Sequence, residues 1–393
     1  MRISENNVVI FTWNIPRGGL TKVILKEYNY FKERKIFPTI LTFEYPQEIY
    51  GEELLKTKLK ILNLNERKNT DISIFFPGFN ISVKGGLLNN MILLNSYLRK
   101  ENPSVIISHQ LLSAILVIPY CLIYRKSYVL ILHDNPFLFL EKNSYGKANI
   151  FRSFILGLVY LVSNFVIYKS KQTICTTPQI YDVINKKLFF RKDRKNITIA
   201  EYGIDPSKES ALVKRKLLLT VSKWSKFRNP QAYAELLNFL PQNINLTMVG
   251  RWDSDTELNE FIDFVNKKGL SNRIKIMVNV SEEELSNLYD ETRVFLRLGF
   301  GEKGTGQAIL EALSHGCPVV ISKDLGASSI IEDGKQGFLV DENDLSGVAN
   351  KISIIFKDDN ILQSMVKESY DLSKRKNWNS YLEVVFKAAI DLY

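Results

Sequence analysis

VFLRLGFGEKGTGQAILEALSHGCPVV, residues 294–320, is the stretch on which the fold turns. It runs in order through an apolar segment, a glycine-rich turn, a helix-period segment carrying one carboxylate at Glu311, and a second apolar segment. This is the pattern of strand, turn, helix and strand. Gly299, Gly301, Gly304 and Gly306 leave backbone N–H groups uncovered where the helix begins. The first four N–H groups of a helix have no intrahelical partner, and the helix dipole is positive there. The segment Gly304, Thr305, Gly306, Gln307 and Ala308 therefore predicts an anion site whose natural guest is a diphosphate. Glu311, about one and a half turns into the helix, is placed to take hydroxyls of the molecule carrying the phosphates.

The same grammar extends outward in both directions. Strands are expected at 216–221, 244–249, 274–277, 293–298 and 318–322, with helices at 231–240, 255–267 and 282–290 and closing helices from 360 to 393. The first half opens with a strand at 8–12, a loop containing Gly18 and Gly19, a helix at 20–33 and a strand at 38–43. Further strands are expected at 72–75, 105–108, 128–133 and 173–177. Strands alternating with helices predict α/β architecture: two doubly wound, Rossmann-like domains facing each other across a cleft. The predicted boundaries are 1–205, 206–375, and a closing helix at 376–393 that packs back on the first domain. Neither half has GxGxxG after its first strand or GxxxxGK[ST] anywhere, which argues against a nicotinamide dehydrogenase and a P-loop nucleotide hydrolase.

Composition narrows the partners. Of the net charge of +10, residues 1–205 hold 28 Lys+Arg and 16 Asp+Glu (28 − 16 = +12), while residues 206–393 hold 24 and 26 (24 − 26 = −2). A basic, apolar-rich first half suits an anionic partner, although a simple solubility excess explains it equally. The aromatic residues of that half fall within apolar segments rather than between basic ones, so no nucleic-acid partner is expected. Residues 154–168 form the most apolar run, which is too short to span a bilayer and is broken by Ser163 and Asn164. It reads as a buried helix or as a helix resting on a membrane face. Cys121, Cys175 and Cys317 are far apart and odd in number, which predicts buried thiols in a reducing compartment. The first residues lack a long apolar core, so no signal peptide is expected.

Several side chains carry candidate chemistry. Lys223 and Arg228 lie in VSKWSKFRNP, just after the first strand of the second half, where two cations can neutralise a diphosphate and stabilise it as it leaves. His133 follows a buried strand and precedes Asp134, where open α/β sheets place ligands. His109, at the end of another strand, is a weaker candidate, and His315 reads as structural. Gly18 and Gly19 precede a helix and either admit a phosphate or sugar or form an ordinary turn. No pair of histidines or cysteines has metal-ligand spacing, so no metal is predicted.

Taken together these residues resemble the retaining glycosyltransferases with two Rossmann-like domains, specifically the family 4 group. The resemblance rests on Gly18-Gly19, His133, the Tyr-Gly-Ile-Asp turn at 202–205, the basic loop at 223–228, Val249-Gly250 and ILEALSHGCPVVISKDLG followed by EDGKQGFLV. It implies a nucleotide-sugar substrate bound mainly by the second domain, with no cofactor and no metal. Lys223 and Arg228 would bind the donor diphosphate, with their identities exchanged relative to the family's Arg and Lys. Glu311 matches the second Glu of the Glu-x7-Glu motif, which holds the ribose hydroxyls, and His133 matches a histidine near the donor sugar. Where the family has its first Glu this chain has Lys303, preceded by Glu302. Either Glu302 substitutes through a bulge of the loop, or Lys303 meets a charged sugar, or the site is rearranged. Ser329 is a second departure, at a position where the family often has Glu.

The activity implied is hexosyl transfer with retention of configuration to a glycan or lipid-linked glycan acceptor held by the basic first domain. The implied location is the cytoplasm, free or at the cytoplasmic face of a membrane. Two other classes share the two-domain build: a nucleotide-sugar 2-epimerase, for which no convincing acid/base set is visible, and a non-catalytic binding subunit, for which Lys303 speaks.

Overall fold

A computed structural model describes residues 7–13, 19–43, 54, 56–62, 72–76, 79–83, 87–137, 150–189, 196–207 and 215–390. The chain divides into two compact units, Met1–Glu201 with Asn379–Tyr393, and Tyr202–Trp378.

The first unit runs β1 (Val8–Phe11), α1 (Gly19–Glu33), β2 (Thr39–Thr42), β3 (Leu59–Ile61), β4 (Ile72–Phe76), β5 (Phe79–Val83), α2 (Leu87–Glu101), β6 (Val105–His109), α3 (Leu111–Ile123), β7 (Ser127–Leu132), α4 (Ile150–Lys169), β8 (Gln172–Cys175), α5 (Pro178–Lys187) and β9 (Ile197–Ile199). The second runs β10 (Leu217–Val221), α6 (Pro230–Glu235), β11 (Leu246–Val249), α7 (Asp255–Lys267), β12 (Ile274–Met277), α8 (Glu282–Asp290), β13 (Thr292–Arg297), α9 (Gln307–Ser314), β14 (Val319–Ser322), β15 (Gly337–Val340), α10 (Leu345–Lys357) and α11 (Asp359–Arg375). The last helix, α12 (Asn379–Ile390), returns to the first unit, where it packs on α1: Phe386 lies against Phe31, with ring centroids 5.0 Å apart.

The first sheet has the order β3-β2-β1-β6-β7-β8-β9 and is parallel throughout. The second, β12-β11-β10-β13-β14-β15, is also parallel throughout. Parallel sheets are covered on both faces, so their central strands are unbroken apolar runs rather than alternating ones. Val8, Val9, Ile10 and Phe11 are all buried, as are Val319, Val320 and Ile321. In each sheet the strand order reverses once, between β1 and β6 and between β10 and β13. Loops diverge there and open a crevice at the C-terminal strand ends, where ligands of open α/β sheets bind.

Three sequence expectations are corrected. The strand expected at 72–75 is not in the parallel sheet: β4 pairs antiparallel with β5 as a separate hairpin. Only Pro77 and Gly78 separate the two, and a two-residue link joins antiparallel strands, whereas a parallel pair needs a crossover of a dozen or more residues. The helix expected at 231–240 is shorter, because α6 gives way to a 3-10 turn at Leu236–Phe239. The apolar segment 154–168 lies in α4 but is not simply buried. Ser163 and Asn164 face inward, while Leu158 (54 %) and Leu161 (51 %) are exposed with Val162, Phe165 and Tyr168. The inward polar pair is satisfied locally: Ser163 Oγ donates to the Val159 carbonyl at 2.6 Å, Asn164 Nδ2 donates to the Tyr160 carbonyl at 3.0 Å, and Asn164 Oδ1 accepts from the Phe189 amide at 2.6 Å.

Candidate functional site

In the second unit the strand order reverses between β10 and β13, and the candidate residues gather at the ends of these strands. After β13 the chain makes the glycine-rich turn and enters α9 through Gly306, at φ 70°, with no side chain capping the helix start. A non-glycine residue pays for such a conformation, and Phe300 in the same turn also has positive φ, at 42°. Thr305 is buried, and its Oγ1 and the Gln307 Nε2 have no hydrogen-bond partner among the described residues. Buried polar atoms left unpaired cost about 1–3 kcal/mol each. Two of them lie together at an uncapped helix start, where hydrogen-bonding groups of a ligand can satisfy them. Gly304 and Ala308 flank them in the same turn.

Beside this turn, Arg228, Arg297 and Glu302 form one network. Arg228 Nη1 donates to Glu302 Oε2. Arg297, only 4 % exposed, donates from Nη2 to both carboxylate oxygens at 2.9 Å and from Nη1 to Ser222 Oγ at 2.7 Å. Burial pushes the Glu302 carboxyl up, and the Arg228 guanidinium works against it. The structure thus joins Arg228 and Glu302. It sends Lys223 elsewhere, to Asp253 Oδ1 at 2.6 Å, with the Lys223 side chain 67 % exposed. Lys303 Nζ lies 3.4 Å from the Asp324 carbonyl and 3.8 Å from its Oδ2.

The strand-end loop carrying Lys223 is anchored by Trp224, whose buried Nε1 donates to the Val249 carbonyl at 3.0 Å. Gly250 closes β11 at φ 129°, and a Cβ there would lie 1.7 Å from the Ser222 carbonyl oxygen, so only glycine fits. On α9, Glu311 Oε2 accepts from Tyr289 Oη at 3.2 Å. Burial raises the Tyr289 phenol well above its ordinary range, and the Glu311 charge adds to this. His315 Nδ1 pairs with Asp290 at 2.8 Å.

In the first unit the strand ends of β6 and β7 bring His109 and His133 together. Their rings lie parallel with centroids 5.1 Å apart, and His109 Nδ1 is 2.8 Å from His133 Nε2. His109 Nε2 is 2.9 Å from Glu27 Oε2. Burial lowers the His133 pKa well below 6.5, and His109 adds to the shift. Gly19 is the first residue of α1, and Gly18 lies outside the described residues. The three cysteines are buried thiols whose pKa values burial raises to about 12.

Reading residue types alone missed Arg297, Tyr289 and Glu27. Arg297 and Glu27 left a signal. Arg297 interrupts an apolar strand, VFLRL, and Glu27 lies three and four residues from Ile24, Val23 and Phe31 on the buried face of α1. A charge on an apolar face needs a partner. Tyr289 gave no such sign, being one aromatic among many.

Comparison with known proteins bears on the family and the fold. The model of the glycosyl transferases group 1 matches residues 205–372, and that of glycosyltransferase family 4 matches residues 17–208. The chain is similar to spore coat protein SA of Bacillus subtilis, 24% identical over 34% of this chain and 37% of that protein. It is also similar to the N-acetyl-alpha-D-glucosaminyl L-malate synthase of Bacillus anthracis, 23% identical over 47% and 46%. The matches thus span less than half the length of either relative. In structure it is similar to HepE of Anabaena in complex with UDP and glucose, with TM-score 0.76, 15% identity and coverage of 99% and 100%. Sucrose-phosphate synthase of Thermosynechococcus elongatus gives TM-score 0.78, 14% identity and 99% coverage of both chains.

Proposed function

The chain belongs to the glycosyl transferase group 1 family, and from that premise we propose that it moves a sugar from a nucleotide-diphosphate donor to a glycan or lipid-linked glycan acceptor. The observation that carries the donor reading is the uncapped start of α9, where buried Thr305 Oγ1 and Gln307 Nε2 await partners beside Arg228 and Arg297. Helix-start N–H groups and guanidiniums together suit a diphosphate: the first supply fixed dipoles, the second planar, permanent charge. Glu311 takes ribose hydroxyls, and Tyr289 holds its carboxylate in place.

In this reading the leaving diphosphate is stabilised by Arg228, Lys223 and the helix start, without a metal and with retention of configuration. Lys223 must leave Asp253 to do so, which an exposed pair worth about 0–1 kcal/mol permits. Arg297 acts through Glu302, which would otherwise oppose the charge of the phosphates. His133 is assigned to the transferred sugar. The exposed apolar residues of α4, with Leu122 and Ile123 of the neighbouring α3, suit a lipid surface that carries the acceptor. Arg125, Lys126 and Lys169 adjoin those residues in sequence and supply positive charge. Among the described residues no helix is long and apolar enough to cross a membrane.

A thermal-shift series with UDP-, GDP- and ADP-sugars, with and without EDTA, tests the reading. A ligand that binds only the folded state raises the melting temperature by mass action. Stabilisation by one nucleotide family, unaffected by EDTA, supports a metal-independent donor site. The absence of any shift would overturn the donor assignment.

A further inference from the structure

The first unit contains a line of titratable groups that the proposed chemistry uses only at its end. Glu27 is fully buried in the middle of α1, an expensive place for a carboxylate without partners. Both of its oxygens are engaged: Oε1 accepts from the Tyr381 hydroxyl of α12 at 2.6 Å, and Oε2 lies 2.9 Å from His109 Nε2. His109 is also fully buried, and its Nδ1 lies 2.8 Å from His133 Nε2. The line runs from a helix interior, through a histidine ending β6, to the histidine just beyond β7.

With His109 neutral, hydrogen-bond chemistry sets the proton positions along this line. A carboxylate only accepts, so His109 Nε2 carries a proton. A neutral imidazole has one N–H, which leaves His109 Nδ1 as an acceptor. The 2.8 Å bond to His133 is then completed by a proton on His133 Nε2. His133 Nδ1 then carries no proton and can only accept a hydrogen bond.

We propose that Glu27 is a positioning residue which, acting through His109, holds His133 in the Nε2–H tautomer with Nδ1 unprotonated. The near-parallel rings, 2° apart, fix the orientation of His133 together with its tautomer. The consequence rests on the transferase reading: a His133 locked in this way accepts a hydrogen bond from a sugar hydroxyl and offers that hydroxyl no competing donor at Nδ1. Orienting partners of this kind typically matter about 10- to 100-fold when removed, although they touch no substrate.

The test uses the full chain labelled with ¹⁵N-histidine. Only three histidines are present, and His315, held by Asp290, serves as an internal reference. Long-range ¹H–¹⁵N correlations distinguish protonated from bare ring nitrogens. The expected spectrum shows both His109 and His133 with Nε2 protonated and Nδ1 bare. Glu27→Gln keeps the side-chain shape but removes the charge and replaces one of the two acceptor oxygens, each of which faces a donor, by an NH2 group. It should break the single-tautomer pattern of His133 and lower kcat about tenfold or more, with the donor KM within about twofold. A bare Nε2 on His133 in the unsubstituted protein overturns the proposal, as does a Glu27→Gln protein unchanged in both spectrum and kcat. The spectrum of the unsubstituted protein decides even if the variant fails to fold. The expected tautomers in a protein that consumes no nucleotide sugar would sustain the relay and sink the transferase reading.

Discussion

Glu302 sits one residue before Lys303, and Arg228 and Arg297 occupy both of its oxygens. A buried carboxylate deprived of its guanidinium is costly, so Arg297→Met should destabilise the second unit by about 3 kcal/mol. The Arg297→Met/Glu302→Met protein should recover most of that loss, as read by chemical unfolding. An uncoupled pair, with additive losses, would show that the network is incidental. Glu311→Ala should weaken nucleotide binding about 10- to 100-fold in calorimetry, since hydrogen bonds to a charged group contribute about 1.5–3 kcal/mol. Unchanged affinity would remove its ribose role. His133 titrates below its ordinary 6.5 because burial disfavours the imidazolium. The unfolded chain therefore binds the proton more readily, and this group's contribution to stability is complete above about 6.5 and declines as pH falls. The melting temperature should drop more between pH 7.5 and 5.5 in the unsubstituted protein than in His133→Asn, and equal slopes would refute this.

At the scale of elements, the ends of β10 and β11 depend on close backbone approach. Gly250→Ala would push a Cβ against the Ser222 carbonyl at φ 129°. It should cost about 1–3 kcal/mol and displace the loop bearing Lys223, weakening diphosphate affinity more than a surface substitution does. Native-like affinity and melting temperature would contradict this. The central strands were legible because each is an apolar run of strand length bounded by turn residues. β3 and β9 were not, because three-residue edge strands such as LKI and ITI carry too little pattern. The Gly-rich turn and Glu311 were legible from spacing. Arg297 and Glu27 needed the further question of which face a charge occupies, and for α4 the sequence left a buried helix and an outward apolar face both open. The apolar residues go most of the way round the helix, so the hydrogen bonds of Ser163 and Asn164 are what identify the side facing inward.

Across the whole molecule, charge is divided unequally, +12 over residues 1–205 against −2 over the rest. The basic half is also the one with exposed Leu158, Leu161 and Ile123. The proposed contact with an anionic lipid surface would rest on two attractions, one screened by salt and one not. Binding to anionic vesicles should fall when salt rises from about 0.1 M to about 1 M, as the screening length shrinks from about 10 Å to about 3 Å. Leu158→Glu/Leu161→Glu should abolish the salt-resistant remainder in a flotation assay. Equal flotation of the variant would return these residues to an ordinary surface.

By itself the sequence determined the parallel α/β class, the two-part repetition and the glycine-rich turn that opens α9, because each follows from local periodicity and from the residue types that break it. The tertiary structure decided which charges meet. Arg228 and Arg297 converge on Glu302 across 74 and five residues of chain, and Glu27 reaches His109 across 82. Such pairings depend on which strand ends lie side by side, and that order is set by the burial of the whole sheet rather than by any segment's own pattern.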